Sequence, residues 1–376
     1  MPASRRLPWT WWVGGGGIAL CMALMAVDVS RRGGLVLPEG GPLPRPTDAL
    51  GWAARFVTAN MTVLCWVAYL LLFDGLLTAM ARQRGEPAIS SIRARPNLFL
   101  VAWLTSIPVW CFFDTINFYF MDAWRYHGLP PERWVRFGGY FIAFAAISPG
   151  MFQAAQAFYH LGLRHVRTTT PAAARRITWW LVLGVNTTLA TATLAIAFAQ
   201  RLDSWGPAVW GVMAGMLLGL GWAIAWAKRC PLATSFAFGA AFTAWSILVA
   251  DPLGNMTLWV GLIFLLDPLN KRMGGPSLLA DWLAGRWGRW LALMAGGGLC
   301  GLLWELWNYW AVAKWTYHLP FLGPLEGYRY FEMPLLGFLG FLPFAVECWV
   351  MLHFICNLFL KMGLRMTEPL PDDQIM

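Results

Sequence analysis

Long apolar stretches, each closed by a short polar or basic connection, recur along the whole chain. A membrane-spanning helix needs about 20 apolar residues. Ten segments approach that length: 9–29, 59–80, 97–121, 138–160, 177–199, 206–227, 232–250, 253–269, 289–312 and 332–360. The pattern predicts an all-α protein, a polytopic transmembrane helical bundle of about ten spans. The first segment follows Arg5 and Arg6, as in a signal peptide. Val27-Asp28-Val29-Ser30-Arg31-Arg32 is a poor cleavage site, however, so an uncleaved helix is expected. The eighth segment is short and is divided from the seventh only by Asp251-Pro252.

Composition supports the membrane class. Hydrophobic residues make up 58% of the chain and charged residues 12%, about half the charge usual in a soluble domain. The 25 Trp and 24 Phe exceed what bilayer interfaces require and point to aromatic-lined interior surfaces. The net charge of +9 sits in short connections, as in loops facing anionic lipid, and argues for membrane lipids rather than nucleic acid as partners. An even number of spans puts both termini on one side. That side carries 18 of the 28 Lys and Arg residues, which predicts cytoplasmic termini in a multi-pass protein of the plasma (bacterial inner) membrane. The seven Cys form no CxxC pair, and Cys21, Cys65, Cys111, Cys300 and Cys356 lie in apolar runs. They read as packing residues, with no metal site.

The two ends of the chain resemble each other. Trp66-Val67 and Asp74 recur as Trp259-Val260 and Asp267, and Asn60-Met61-Thr62 as Asn255-Met256-Thr257. Asp114, Asn117, Trp124, Tyr126 and His127 recur without a gap as Glu305, Asn308, Trp315, Tyr317 and His318. Pro149 and Gln153 answer Pro343 and Glu347, and Asp28 answers Asp251. The expected organisation is two parallel four-helix repeats, helices 1–4 and 7–10, with a two-helix insert. The boundaries are 9–165, 166–231, 232–361 and a disordered cytoplasmic tail at 362–376. Displacement by six helices keeps the copies parallel, with an axis near the membrane normal and a natural cavity at their interface.

Carboxylates inside apolar helices are costly and usually face the bundle interior. Asp114 and Glu305 are the leading candidates, each three residues before an amide, Asn117 or Asn308, on one helical face. Either they form a site with Trp304, Trp315, Tyr317 and His318, or they lock helices together through hydrogen bonds. Glu332 is a further acid candidate or a plain interfacial residue. Glu347 lies deeper, opposite the neutral Gln153 of the first copy. Pro334 and Pro343 are positioned to break the last helix and free backbone carbonyls for a ligand, and Gly337 and Gly340 to permit close packing. Asp74 and Asp267 are expected to end helices near Arg82 and Lys271. The Gly14–Gly17 run reads as helix flexibility. His160 and His353 occupy nearly equivalent helix ends, where facing imidazoles would suit haem or a quinone; the alternative is two interfacial histidines and no cofactor. HExxH, P-loop and dinucleotide fingerprints are missing from the sequence.

The repeat unit resembles the membrane domain of the heterodimeric-type lycopene cyclases, which is also duplicated. Phe113-Asp114 and Trp304-Glu305 resemble that family's aromatic-acid element, Trp124 and Trp315 its following Trp, and Pro334-Leu335 with Phe338 and Phe341 its later Pro-Leu and Phe-rich segment. Leu336 and Gly337, and Tyr140-Phe141-Ile142-Ala143 in the first copy, stand where the family has paired acids. The resemblance implies an isoprenoid or carotenoid substrate, with Glu305, Asp114 or Glu332 supplying the proton. The Trp-Glu-x-Trp-Asn-Tyr-Trp and Phe-Glu-Met-Pro segments also resemble uncharacterised bacterial polytopic membrane proteins. The competing expectation is a non-enzymatic protein, either a proton-coupled transporter or a structural subunit of a membrane complex.

Overall fold

A computed structural model describes residues 7–36, 41–168, 170–199, 219, 231–248, 252–367, 370 and 374–376. Its helices are α1 (Trp9–Arg32), α2 (Ala49–Ala59), α3 (Met61–Arg84), α4 (Ser91–Ala94), α5 (Pro96–Ile116), α6 (Arg133–Leu161), α7 (Pro171–Ala199), α8 (Pro231–Leu248), α9 (Asn255–Met273), α10 (Leu278–Leu283), α11 (Gly288–Trp310) and α12 (Phe338–Lys361). Among the described residues, eight helices are long and apolar enough to cross a membrane, and Leu232–Leu248 is a shorter apolar helix. The protein is an all-α polytopic bundle. The predicted span 206–227 and Asp251 lie outside the described residues.

Helix packing follows the repeat. Helix α1 lies on α3 and α8 on α9; α3 packs on α6 and α9 on α12; α5 packs on α6 and α11 on α12. The copies meet where α6 crosses α11 and α5 crosses α12, which are equivalent contacts. Glycines set the closest approaches. A Cβ on Gly14 would stand 2.3 Å from the Leu72 nitrogen, and one on Gly239 would stand 2.1 Å from the Leu265 nitrogen. Leu72 and Leu265 hold the same place relative to Trp66 and Trp259, so both copies join their first two helices in one way. Gly14 therefore serves close packing rather than the flexibility expected of the glycine run.

The segments that follow Asn117 and Asn308 include short strands. β1 (Trp124–His127) pairs antiparallel with β2 (Lys314–Tyr317), placing Trp124 opposite Tyr317 and Tyr126 opposite Trp315. These two pairs exchange places under the repeat, so the ladder has two-fold symmetry about the Arg125–Thr316 pair. Such pairing fits copies related by a two-fold axis and joins them at one end of the bundle.

Other expectations change. The connection at 30–58 contains α2, whose start is capped by Asp48 accepting from the Gly51 N–H at 2.7 Å. The last helix begins at Phe338 because Arg329–Tyr330 (β3) and Met333–Pro334 (β4) pair as a small hairpin. Pro334 therefore lies before that helix, and Pro343 lies within it. The tail is docked rather than disordered at its end. Ile375 donates its N–H to Gln156 Oε1 at 2.8 Å and accepts from Trp349 Nε1 at 2.8 Å. Arg289 Nε donates to the Gln374 carbonyl at 3.1 Å. Ile375 and Met376 are buried, so a short apolar ending offsets the polar, proline-rich approach. Glu368, Asp372 and Asp373 lie outside the described residues.

Candidate functional site

The site grows from the two strands and the helices that precede them. Asn117, at the start of a π-helical turn ending α5, donates from Nδ2 to the Trp124 carbonyl at 2.7 Å and accepts from the Ala123 and Trp124 N–H groups. Asn308 makes the same clamp, donating to the Trp315 carbonyl and accepting from the Trp315 N–H, both at 2.8 Å. A buried amide satisfied on both sides fixes a chain reversal. Both amides, expected beside the acids as ligand groups, hold a strand.

That reversal brings each strand's aromatics back over the acid. Asp114 Oδ1 accepts from Trp124 Nε1 and from the Tyr126 hydroxyl, both at 3.0 Å. Glu305 Oε1 accepts from the Tyr317 hydroxyl at 2.9 Å, and Tyr317 in turn accepts from Trp315 Nε1 at 2.7 Å. Glu305 is fully buried, and its Oε2 has no hydrogen-bond partner among the described residues. Burial raises the pKa of the Tyr126 and Tyr317 phenols well above the usual value. The two acid–tyrosine units meet through rings: Tyr126 to Trp315 at 6.5 Å, Trp110 to Trp304 at 5.3 Å and Trp304 to Trp315 at 5.5 Å between centroids.

A cavity of about 490 Å³ lies against these rings, a size typical of small-molecule sites. Both copies line it: Trp66, Trp110, Tyr126, Tyr140 and Phe144 from the first, and Trp259, Trp304, Tyr317, Phe341 and Phe344 from the second. The tyrosines line the cavity, whereas Asp114 and Glu305 stand behind them. Trp66 and Trp304 are buried, and their indole nitrogens have no hydrogen-bond partner among the described residues. Trp315 also lines the cavity; His318 is exposed beyond it.

Glu332 is tied to Lys314, a buried cavity-lining lysine that the sequence reading passed over. Lys314 Nζ also donates to the Tyr309 carbonyl at 3.2 Å. A separation of 18 positions hid this pair. Glu347 and its counterpart Gln153 are buried, and none of their side-chain oxygen or nitrogen atoms has a hydrogen-bond partner among the described residues. Glu347 lies one helical turn beyond Pro343 and Phe344, which line the cavity.

At the opposite end of the bundle, Asp74 accepts from Ser90 and Arg93, at 2.6 and 2.7 Å. Asp267 accepts from Ser277 and from the Leu278 and Leu279 N–H groups, all at 2.8 Å. Each aspartate thus anchors the short helix that follows its own. His160 is committed to Gln156 at 2.9 Å and lies 3.6 Å from Glu86. His353 packs on Trp349 with ring centroids 4.3 Å apart. Among the described residues, no cluster of three His, Cys, Asp or Glu side chains is placed to hold a metal ion. No family model, curated protein sequence or solved structure matches the chain, so no relative lends it an activity.

Proposed function

We propose that the cavity between the copies binds one isoprenoid- or carotenoid-type lipid and that the acid-backed tyrosines act on it. The reading rests on one observation: about 490 Å³ of aromatic-walled space at the copy interface, with Tyr126 and Tyr317 lining it and a carboxylate behind each. Indole and phenyl faces favour a polarisable, unsaturated chain and stabilise developing positive charge. A carboxylic acid at Glu305 or Asp114, acting through its tyrosine, would protonate a polyene, as the likeness to the lycopene cyclases implies. Glu332 ranks below them because Lys314 holds it in an ion pair. Pigment analysis in a lycopene-producing host tests the reaction. A new cyclised pigment, lost in Glu305→Gln, is expected; unchanged pigment beside well-folded protein rejects cyclisation.

One observation favours a second reading, a proton-coupled transporter. Glu347 is a buried acid without a partner among the described residues, on a helix at the copy interface, and such acids mark proton paths in transporters. Solute uptake that collapses with the proton gradient and in Glu347→Gln would support it; gradient-independent uptake would reject it. Stoichiometric copurifying proteins would instead favour a structural subunit. In each reading the excess of Lys and Arg on one side supports a plasma-membrane protein with cytoplasmic termini.

A further inference from the structure

The contact between α1 and α3 gathers sulfur. Its antiparallel register is pinned at both ends. A Cβ on Gly14 would stand 2.3 Å from the Leu72 nitrogen, and one on Gly75 would stand 2.4 Å from the Trp11 nitrogen. Toward the strand end, Thr58, just before α3, donates to Asp28 Oδ2 at 2.6 Å. Between these anchors, seven residues on from Gly14 and seven back from Leu72, Cys21 stands opposite Cys65; four further, Met25 stands opposite Met61. All four side chains are buried. The contacts agree with the register. The Cys21 and Cys65 thiols are hydrogen-bond partners, and Cys65 Sγ lies 3.9 Å from Met61 Sδ, one turn before it on α3.

Packing alone does not require sulfur at this place. In the second copy Gly239 meets Leu265 as Gly14 meets Leu72, and seven residues on from Gly239 stands Ser246. Ser246 shares a 2.8 Å hydrogen bond with Thr257, the neighbour of Leu258, which answers Cys65. Hydroxyls and an alkyl chain therefore close the equivalent helix contact. The first copy instead faces two thiols and two thioethers toward one another, a set that forms no cluster of His, Cys, Asp or Glu and has meaning only for a soft ion. Thiolate and thioether donors select Cu(I) over harder divalent cations. We propose that Cys21, Cys65 and Met61 hold one Cu(I) ion between α1 and α3, with Met25 facing them across the helix contact. Cu–S bonds form to both cysteines, the two thiol protons pass to solvent, and copper stays Cu(I), so no oxidant or reductant is consumed. The unbranched methionine side chain has the rotatable bonds to bring its sulfur onto the ion. Such a site would stand whether or not the cavity takes a lipid, although Met61 also belongs to the cavity wall.

Titration of reduced, full-length protein in detergent with Cu(I), in competition with the chelator bicinchoninate, tests the proposal. The wild type should withdraw one Cu(I) per chain from the chelator, and X-ray absorption should show sulfur-only coordination. Cys21→Ser and Cys65→Ser should each weaken binding by about 100-fold or more, and Met61→Leu by about tenfold, as loss of a neutral donor implies. Cys111→Ser, which removes an exposed thiol, should change nothing, and equimolar Zn(II) should not displace the copper. Cu(I) should raise the melting temperature of the wild type and not that of Cys21→Ser, since only a folded site binds it. Failure to hold copper against the chelator, nitrogen or oxygen ligands in the absorption spectrum, or displacement by Zn(II) overturns the site. Binding that survives Cys21→Ser but falls in Cys111→Ser overturns it as well, and undiminished binding in Met61→Leu overturns the thioether ligand. The wild-type stoichiometry and ligand set are read without any substitution, so they decide the matter even where a variant fails to fold.

Discussion

At the scale of single residues, the two acid–tyrosine units are alike but unequally supported. Asp114 keeps the Trp124 indole at 3.0 Å if Tyr126 loses its hydroxyl, whereas Glu305 takes its 2.9 Å hydrogen bond from the Tyr317 hydroxyl, which is itself held by the Trp315 indole. Tyr317→Phe should therefore destabilise the protein by about 1–3 kcal/mol, the cost of an unmet buried group, and Tyr126→Phe by less. Thermal melts of the two variants in detergent check the order; equal losses would contradict it. Lys314 is buried with Glu332 as its acid partner, so Glu332→Ala should cost about 3 kcal/mol by stranding that charge. Adding Lys314→Met should recover part of the loss, a coupling that melts of the single and double variants measure. His127 gives a pH signature. Burial and the nearby Lys314 charge hold its pKa below the ordinary 6.5. The unfolded chain then binds the extra proton first, so stability declines as pH falls below about 6.5 toward the lowered folded value. His127→Asn should lose less melting temperature between pH 7.5 and 5.5 than the wild type; an identical loss assigns the decline to other groups.

At the scale of elements, the apolar runs made nine described helices legible, because a bilayer demands length and hydrophobicity that nothing else in the sequence mimics. Three features escaped. Strands of four residues are too short to show alternation, and β1 and β2 exist because Asn117 and Asn308 each bind backbone seven residues ahead. Helix α2 was hidden in a connection whose helical sign is a single capping Asp48. The buried end of the tail was masked by its polar, proline-rich approach, since three residues cannot reveal a docking site 219 positions away at Gln156 and 85 away at Arg289. The glycines were visible, but not their role. At Gly239 an added side chain would strike the backbone of α9, whereas nothing lies within 4 Å of the Cβ position at Gly16. Gly239→Val and Gly14→Val should each lower stability by about 1–3 kcal/mol through overpacking, with Gly16→Val near neutral. Matched losses at all three positions would mean that the α1–α3 and α8–α9 contacts are not set by glycine.

At the scale of the whole molecule, the duplication was readable from aligned acids, amides and tryptophans, and the strand ladder carries it into space. The acids were legible because a carboxylate in an apolar run stands out, but their surroundings were not. The rings of Trp110, Trp66 and Trp259 converge on one cavity only after the copies pack. The measurement that tests the account most directly is mass spectrometry of lipid retained by purified protein, wild type against Gly139→Trp. Gly139 lines the cavity, and nothing stands within 4 Å of its Cβ position, so the new side chain can fill the space without displacing backbone. The account predicts one retained lipid per chain in the wild type and its loss from a variant that melts at nearly the same temperature. A filled variant that keeps the same lipid at the same stoichiometry, or a wild type that retains none, would contradict it.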